Sequence, residues 1–267
     1  ERMAHEGQGI GKINEITVFV EGAIFGEKCL AEITKSKKDY AIARIVKILE
    51  ASPYRVTPAC SYERCGGCNL SHMSYEGQLI FKREKVIDSL RRIGHIDAQV
   101  YDTLGMERPY RYRNKTQHPV GMVDNRIVIG FFEKRTHNIV EIDDCMLQDP
   151  IADHVINTVK SWMKEYDVPA YNEIAHQGLV RHVVTRVGHK TGEIMVALVI
   201  NGREIPFKDR LIEQLSKNIP SLKSVVLNVN TNKTNVIMGE ENITIFGRPY
   251  IYDYIGRKSV VGLVSGR

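Results

Sequence analysis

The sequence predicts a small OB-like β-barrel followed by an α+β domain built on an antiparallel sheet. Three observations point there. Short β-branched and aromatic runs crowd the first fifty residues, and apolar residues at helical spacing appear in only a few later segments. Strands beyond residue 110 come in pairs, with no regular alternation of strand and helix.

The barrel is assigned to residues 1–52. It opens on His5-Glu6-Gly7-Gln8-Gly9-Ile10-Gly11-Lys12, whose alternating glycines suit a strand with a tight bend. Ile16 to Val20 is a second strand, closed by Glu21-Gly22-Ala23. Cys29 to Ile33 and Tyr40 to Ile48 are two more, joined by a lysine-rich turn. So many short strands predict closure, which removes exposed edges.

Pro53 and Pro58 punctuate the entry to the second domain, assigned to residues 53–256. Ser74 can cap a helix whose apolar positions run from Leu79 to Ile93, with Gly94 as its stop. Tyr112–Val120, Arg126–Phe132 and Ile139–Ile142 alternate like antiparallel strands. Asp149-Pro150 precedes a helix over about Ile151–Glu165, and Gly188 and Gly192 mark a hairpin between Val180–Val187 and Glu193–Val199. A helix near Pro206–Leu215, a strand at Ser224–Asn230, and strands near Asn242–Phe246 and Pro249–Tyr254 complete the domain.

Among the 267 residues, 43% are hydrophobic and 26% charged, an ordinary balance for a soluble globular protein. No apolar run approaches the roughly 20 residues that span a bilayer, and the N-terminus lacks a signal peptide's apolar stretch. The expectation is a cytoplasmic protein with no membrane partner. A net charge of +5 says little by itself, but its distribution says more. Lys35, Lys37 and Lys38 cluster beside Tyr40, and Arg108, Arg111, Arg113 and Lys115 cluster with Tyr110 and Tyr112. Cations beside stacking rings suit single-stranded or looped RNA. Lys35, Lys37, Lys38, Arg111, Arg113, Asn114 and Lys115 are therefore candidate RNA contacts. For the second group, the alternative is a strand whose outward face happens to be basic.

Three of the five cysteines fall within nine residues, as Cys60-x4-Cys65-Gly66-Gly67-Cys68. Such crowding in a cytosolic chain favours ligation over disulfides. The two glycines let the backbone fold tightly and turn its N–H groups toward sulfur. A fourth thiolate would complete a cluster's ligand set. Cys145, between a strand and a helix, is a better candidate than Cys29, which sits in an apolar strand. Three other readings stay open: a zinc site, a redox pair of Cys65 and Cys68, and a three-cysteine radical-forming cluster. The second C-x2-4-C pair of a zinc site is missing, and Cys60 does not belong in a simple redox pair. The spacing is also not that of a radical cluster. A closed four-cysteine cluster leads.

These residues resemble a known family. His5–Lys12 and Val20-Glu21-Gly22-Ala23 are similar to a TRAM domain, an RNA-binding barrel. Cys60-x4-Cys65-Gly66-Gly67-Cys68-Asn69-Leu70-x-His72-x-x-Tyr75-x-x-Gln78 resembles the cluster segment of bacterial uracil-5-methyltransferases acting on 23S ribosomal RNA. Tyr110–Lys115, Gly130–His137, Asp143-Asp144-Cys145 and Asn230–Val236 are similar to that family's central domain.

The resemblance implies a [4Fe-4S] cluster on Cys60, Cys65, Cys68 and Cys145. It also implies ribosomal RNA as partner and S-adenosylmethionine as methyl donor in the full-length enzyme. There a cysteine thiolate adds to C6 of a flipped-out uridine, C5 takes the methyl group, and a carboxylate removes the C5 proton. The family's motifs stop at Gly256, and residues 257–267 read as a divergent tail. The expectation is that the Rossmann-like methyltransferase domain is absent and that no catalytic residue lies in the chain. On that view the chain binds RNA but does not methylate it. A free-standing RNA-binding protein with a structural or redox-sensing cluster is the alternative.

Overall fold

The structure is a computed structural model that describes residues 2–264, so the last three residues of the expected tail lie outside the described residues. The chain divides into two compact units. One comprises Glu1–Ser61 and Cys68–Pro109; the other comprises Tyr62–Gly67 and Tyr110–Arg267.

The first unit begins with five strands: β1 (Arg2–Met3), β2 (Gly9–Ile13), β3 (Ile16–Glu21), β4 (Lys28–Ser36) and β5 (Tyr40–Glu50). They form one sheet in the order β1-β2-β3-β5-β4. A closed ladder is predicted, but among the described residues β4 and β1 are the unpaired ends; β1, two residues long, offers too little backbone to close the ring. Asn14 and Glu15 turn β2 into β3 with positive φ at both positions, the two-residue turn whose twist matches a hairpin. Val18, Val20, Ala23, Ala41 and Ala43 form the small core. Gly9 has a steric reason: a Cβ there would sit 2.7 Å from the Ala23 methyl.

Helix α1 (Tyr75–Arg92) belongs to the same unit, and Ser74 caps it as predicted, its hydroxyl accepting from Gly77 N at 3.2 Å. Its Phe81 packs with Met73 and Ile24. The Glu27 side chain, 1% exposed, pairs with Arg55, whose Nη2 donates to Oε2 at 2.8 Å.

The second unit carries β6 (Lys115–Val123), β7 (Arg126–Phe132), β8 (Ile139–Glu141), α2 (Ile151–Glu165), β9 (Val180–Val187), β10 (Ile194–Ile200), α3 (Lys208–Asn218), β11 (Leu222–Val229) and β12 (Glu241–Gly247). Its sheet runs β12-β11-β10-β9-β6-β7-β8. The sequence predicts an antiparallel sheet; among the described residues this sheet contains one parallel pair, β10 with β11. The cause is α3, which carries the chain back across the sheet between them and makes a βαβ crossover. Every residue of Ile194–Ile200 is buried, because β10 is covered on both faces. On one face Leu198, Ile200, Val225 and Leu227 pack with Trp162, Met163, Leu211 and Leu215 of the two helices. On the other, Met195, Ala197, Val199 and Val226 meet Ile251 and Val264. Residues 258–262, expected in a divergent tail, form β14 (Lys258–Gly262), paired antiparallel with β13 (Ile251–Ile255).

Candidate nucleic-acid interface and cysteine positions

Lys35 lies next to the end of β4, and Lys37 and Lys38 make the turn into β5; all three are exposed. The turn is held by Lys37 N donating to Tyr40 O at 2.9 Å, and the Tyr40 ring meets Phe19 edge-on at 5.9 Å. Among the described residues none of the three lysines is in an ion pair. Their charge faces water, as phosphate contacts require.

The second basic cluster is used differently. Arg111 adopts a left-handed backbone, φ +55°, and its guanidinium donates to Cys145 O at 2.7 Å and Asp144 Oδ1 at 2.6 Å. The Asp144 bond is the chief cause of its raised pKa. Arg113 is half-buried, and its backbone joins the same segment: its N donates to Leu147 O at 2.8 Å. Lys115 lies opposite Arg186 across the β6–β9 ladder; burial, then the Arg186 charge, push its pKa down. Asn114 is exposed, and its carbonyl accepts from Val187 N at 2.9 Å. Arg111 and Arg113 thus brace the residues around Cys145.

A buried polar chain completes that brace. His118, fully buried, meets Gln148 Oε1 through Nε2 at 3.0 Å, and Gln148 Nε2 donates to Asp153 Oδ1 at 2.6 Å. Because the amide nitrogen serves Asp153, the His118 Nε2 must be the donor, which fixes a neutral tautomer. Burial pushes the His118 pKa to about 4 and raises that of Asp153. Nothing in the spacing of these residues announced the chain; Gln148 reads as an ordinary polar residue before a helix.

The cysteines divide between the units. Cys60 and Cys68 belong to the first, Cys65 and Cys145 to the second. Cys29 lies in β4 against the barrel core. Cys60, Cys65 and Cys145 are half-buried and Cys68 is exposed. In the second unit Cys65 bridges to Glu133, and Gly66 N donates to Phe132 O at 3.0 Å. A Cβ on Gly66 would lie 2.8 Å from that carbonyl, so only glycine allows the approach. Gly67 N points at Cys65 Sγ, 3.4 Å away, the amide-to-sulfur geometry predicted for these glycines. Arg64 clasps Glu133 with bonds of 2.7 and 3.0 Å, the main reason that the Glu133 pKa falls to about 2. Tyr62 Oη accepts from Asp143 N at 3.0 Å, which ties the cysteine loop to the segment that carries Cys145. Among the described residues no three His, Cys, Asp or Glu side chains stand as a metal ion would need. No helix among them is long and apolar enough to cross a membrane.

Comparison with known proteins adds three findings. Residues 1–46 match the TRAM domain model. An uncharacterized RNA methyltransferase of Caldanaerobacter subterraneus subsp. tengcongensis is 48% identical over 254 residues, which is 95% of this chain and 56% of that protein. One from Clostridium tetani is 45% identical over 255 residues, 95% of this chain and 55% of the relative. The chain therefore spans a little over half the length of these relatives. The crystal structure of Pyrococcus abyssi tRNA (uracil-54, C5)-methyltransferase with S-adenosyl-L-homocysteine superposes with a TM-score of 0.73 at 23% identity, over 99% of this chain and 58% of that one.

Two expectations are corrected by these findings. One is that the methyltransferase domain is absent, and the other is that the chain binds RNA without methylating, whether as a truncated product or as a free-standing binder. Both were drawn from where the sequence stops. Yet proteins named RNA methyltransferases match along 95% of the chain, and the fold of a solved methyltransferase accounts for 99% of it. In its TRAM match, its relatives and its fold, the chain is similar to TRAM-bearing RNA methyltransferases.

Proposed function

We propose that the protein transfers a methyl group from S-adenosylmethionine to C5 of a uridine in RNA, with 23S ribosomal RNA as substrate. The observation that carries the reading is the likeness along 95% of the chain to RNA methyltransferases, joined to a TRAM match at residues 1–46. The fold shared with a tRNA (uracil-54, C5)-methyltransferase supports uracil C5 as the position. In this reading Lys35, Lys37 and Lys38 hold RNA phosphates on the barrel, Asn114 and Lys115 add contacts from the second unit, and Arg111 and Arg113 shape the Cys145 segment. The test is incubation of the protein with labelled methyl donor and unmodified 23S RNA or tRNA. Label in 5-methyluridine of 23S RNA is expected; label in tRNA alone, or in no uridine, defeats the assignment.

The cofactor reading is a [4Fe-4S] cluster on Cys60, Cys65, Cys68 and Cys145. Four thiols suit that cluster, the Gly67 N–H already points at Cys65 sulfur, and the Tyr62–Asp143 bond supports a convergence of the loop with Cys145. Bound there, a cluster would supply a cross-link between chain segments. Anaerobic purification with iron and sulfide analysis should give about four irons per chain. A stoichiometric zinc ion would replace this reading.

A further inference from the structure

We propose that the loop over residues 230–236 is a phosphate-binding loop that grips the backbone of the RNA, an inference that rests on RNA being the substrate. The loop reads Asn-Thr-Asn-Lys-Thr-Asn-Val and is exposed from Thr231 to Val236. It is nevertheless held in one shape. Asn230, 2% exposed, donates through its carboxamide to Val236 O at 2.8 Å and Ile237 O at 2.9 Å, and accepts from Asn232 N at 3.2 Å. Thr234 Oγ1 accepts from Val236 N at 3.2 Å.

Beneath the loop lies Arg181 of β9, 5% exposed. Its Nη1 donates to the carbonyls of Asn230 and Asn232, each at 2.8 Å, and its Nη2 to that of Thr234 at 3.2 Å. The Tyr171 ring lies 4.4 Å from the guanidinium carbon. Among the described residues no carboxylate pairs with Arg181, so a buried cation is met only by carbonyl dipoles and a ring face. Its positive charge is therefore felt at the loop.

The peptide geometry supplies the rest. Carbonyls of alternate residues converge on Arg181, and the chain has no cis peptide bond. In a planar trans peptide the N–H points opposite to the C=O. The N–H groups of Thr231, Lys233 and Asn235 therefore face away from Arg181, toward solvent. Among the described residues none of the three makes a hydrogen bond within the protein. Three outward amides, the exposed Lys233 ammonium and an unneutralised cation underneath present a set of donors to an anion. These oxygen-hungry donors match a phosphodiester.

The test measures binding of the 267-residue chain to single-stranded 23S RNA fragments across a salt series, for the wild type and Lys233→Gln. The exposed Lys233 can be changed without touching the core. The variant should bind unrelated sequences more weakly to a similar degree, and its log–log salt slope should shrink by about 0.7, the worth of one phosphate contact. In amide spectra, RNA should move the Thr231, Lys233 and Asn235 signals, while inorganic phosphate at equal phosphorus concentration should leave them in place. Equal movement with both ligands would make this a free-phosphate site and overturn the RNA assignment. Unchanged affinity, slope and loop amides in a chain that binds RNA would overturn the loop alone. A wild-type chain that binds no RNA overturns the substrate reading and the loop with it.

Discussion

Several side chains of this protein have their ionisation set by burial, and each makes stability depend on pH in a direction that can be worked out. His118 and His182 are both pushed to about 4, chiefly by burial. An unfolded histidine takes its proton near 6.5, so between the two values the unfolded state binds more protons. Stability is therefore complete above about pH 6.5 and falls on acidification toward pH 4, by up to about 1.4 kcal/mol per pH unit for each histidine. Urea titrations across that range check it, and His182→Gln should flatten the dependence. Glu27 behaves oppositely in origin but alike in sign: burial works to raise its pKa, yet bonds from Arg55 and Ile24 N hold it below 4.5. Its contribution is present above that value and disappears as the pH drops through the folded pKa. Glu27→Ala strands Arg55 in a half-closed site and should cost about 3 kcal/mol in denaturant unfolding. The residue scale is also where sequence logic was weakest. The type and company of Arg111 suggest an RNA contact, and nothing in them reveals that its guanidinium bonds to Asp144, 33 positions away. A residue's chemistry is local and its partner is not.

Elements were legible in proportion to how far their own residues decide them. α2 runs over Ile151–Glu165, the span predicted from spacing behind Asp149-Pro150, because eight of its residues are buried on faces the pattern marks. α3 was predicted two residues early: Phe207 takes a left-handed backbone, φ +49°, and the helix starts only after it. The Phe207 ring stacks 4.6 Å from Tyr166, a contact that the spacing of the segment does not reveal. The direction of β11 was not readable either, since Leu222–Val229 has the same alternation whichever way its neighbour runs. Trp162, fully buried between the helices and the sheet, should cost about 4 kcal/mol when replaced by alanine, seen as a lowered urea midpoint with an unchanged slope. Ser74→Ala removes only the α1 cap and should cost about 1 kcal/mol.

For the whole molecule, the prediction is an affinity for RNA that is mainly electrostatic. Replacing Lys35, Lys37 and Lys38 together by glutamine should shrink the salt slope by about 2, three contacts at about 0.7 each, while the melting temperature stays put. A full-sized slope in that triple variant would move the interface off the barrel. The division of the chain carries a different consequence. Residues 62–67 belong to the second unit although residues on both sides of them belong to the first, and Arg64 finds Glu133 at a separation of 69 positions. During synthesis this hexapeptide leaves the ribosome long before its acceptor strand exists, and it must wait, unpaired, for β7 to follow. Cutting the gene between Pro109 and Tyr110 would strand the hexapeptide on the wrong product, leaving β7's end without its clasp. Neither unit can be had intact from a single scission.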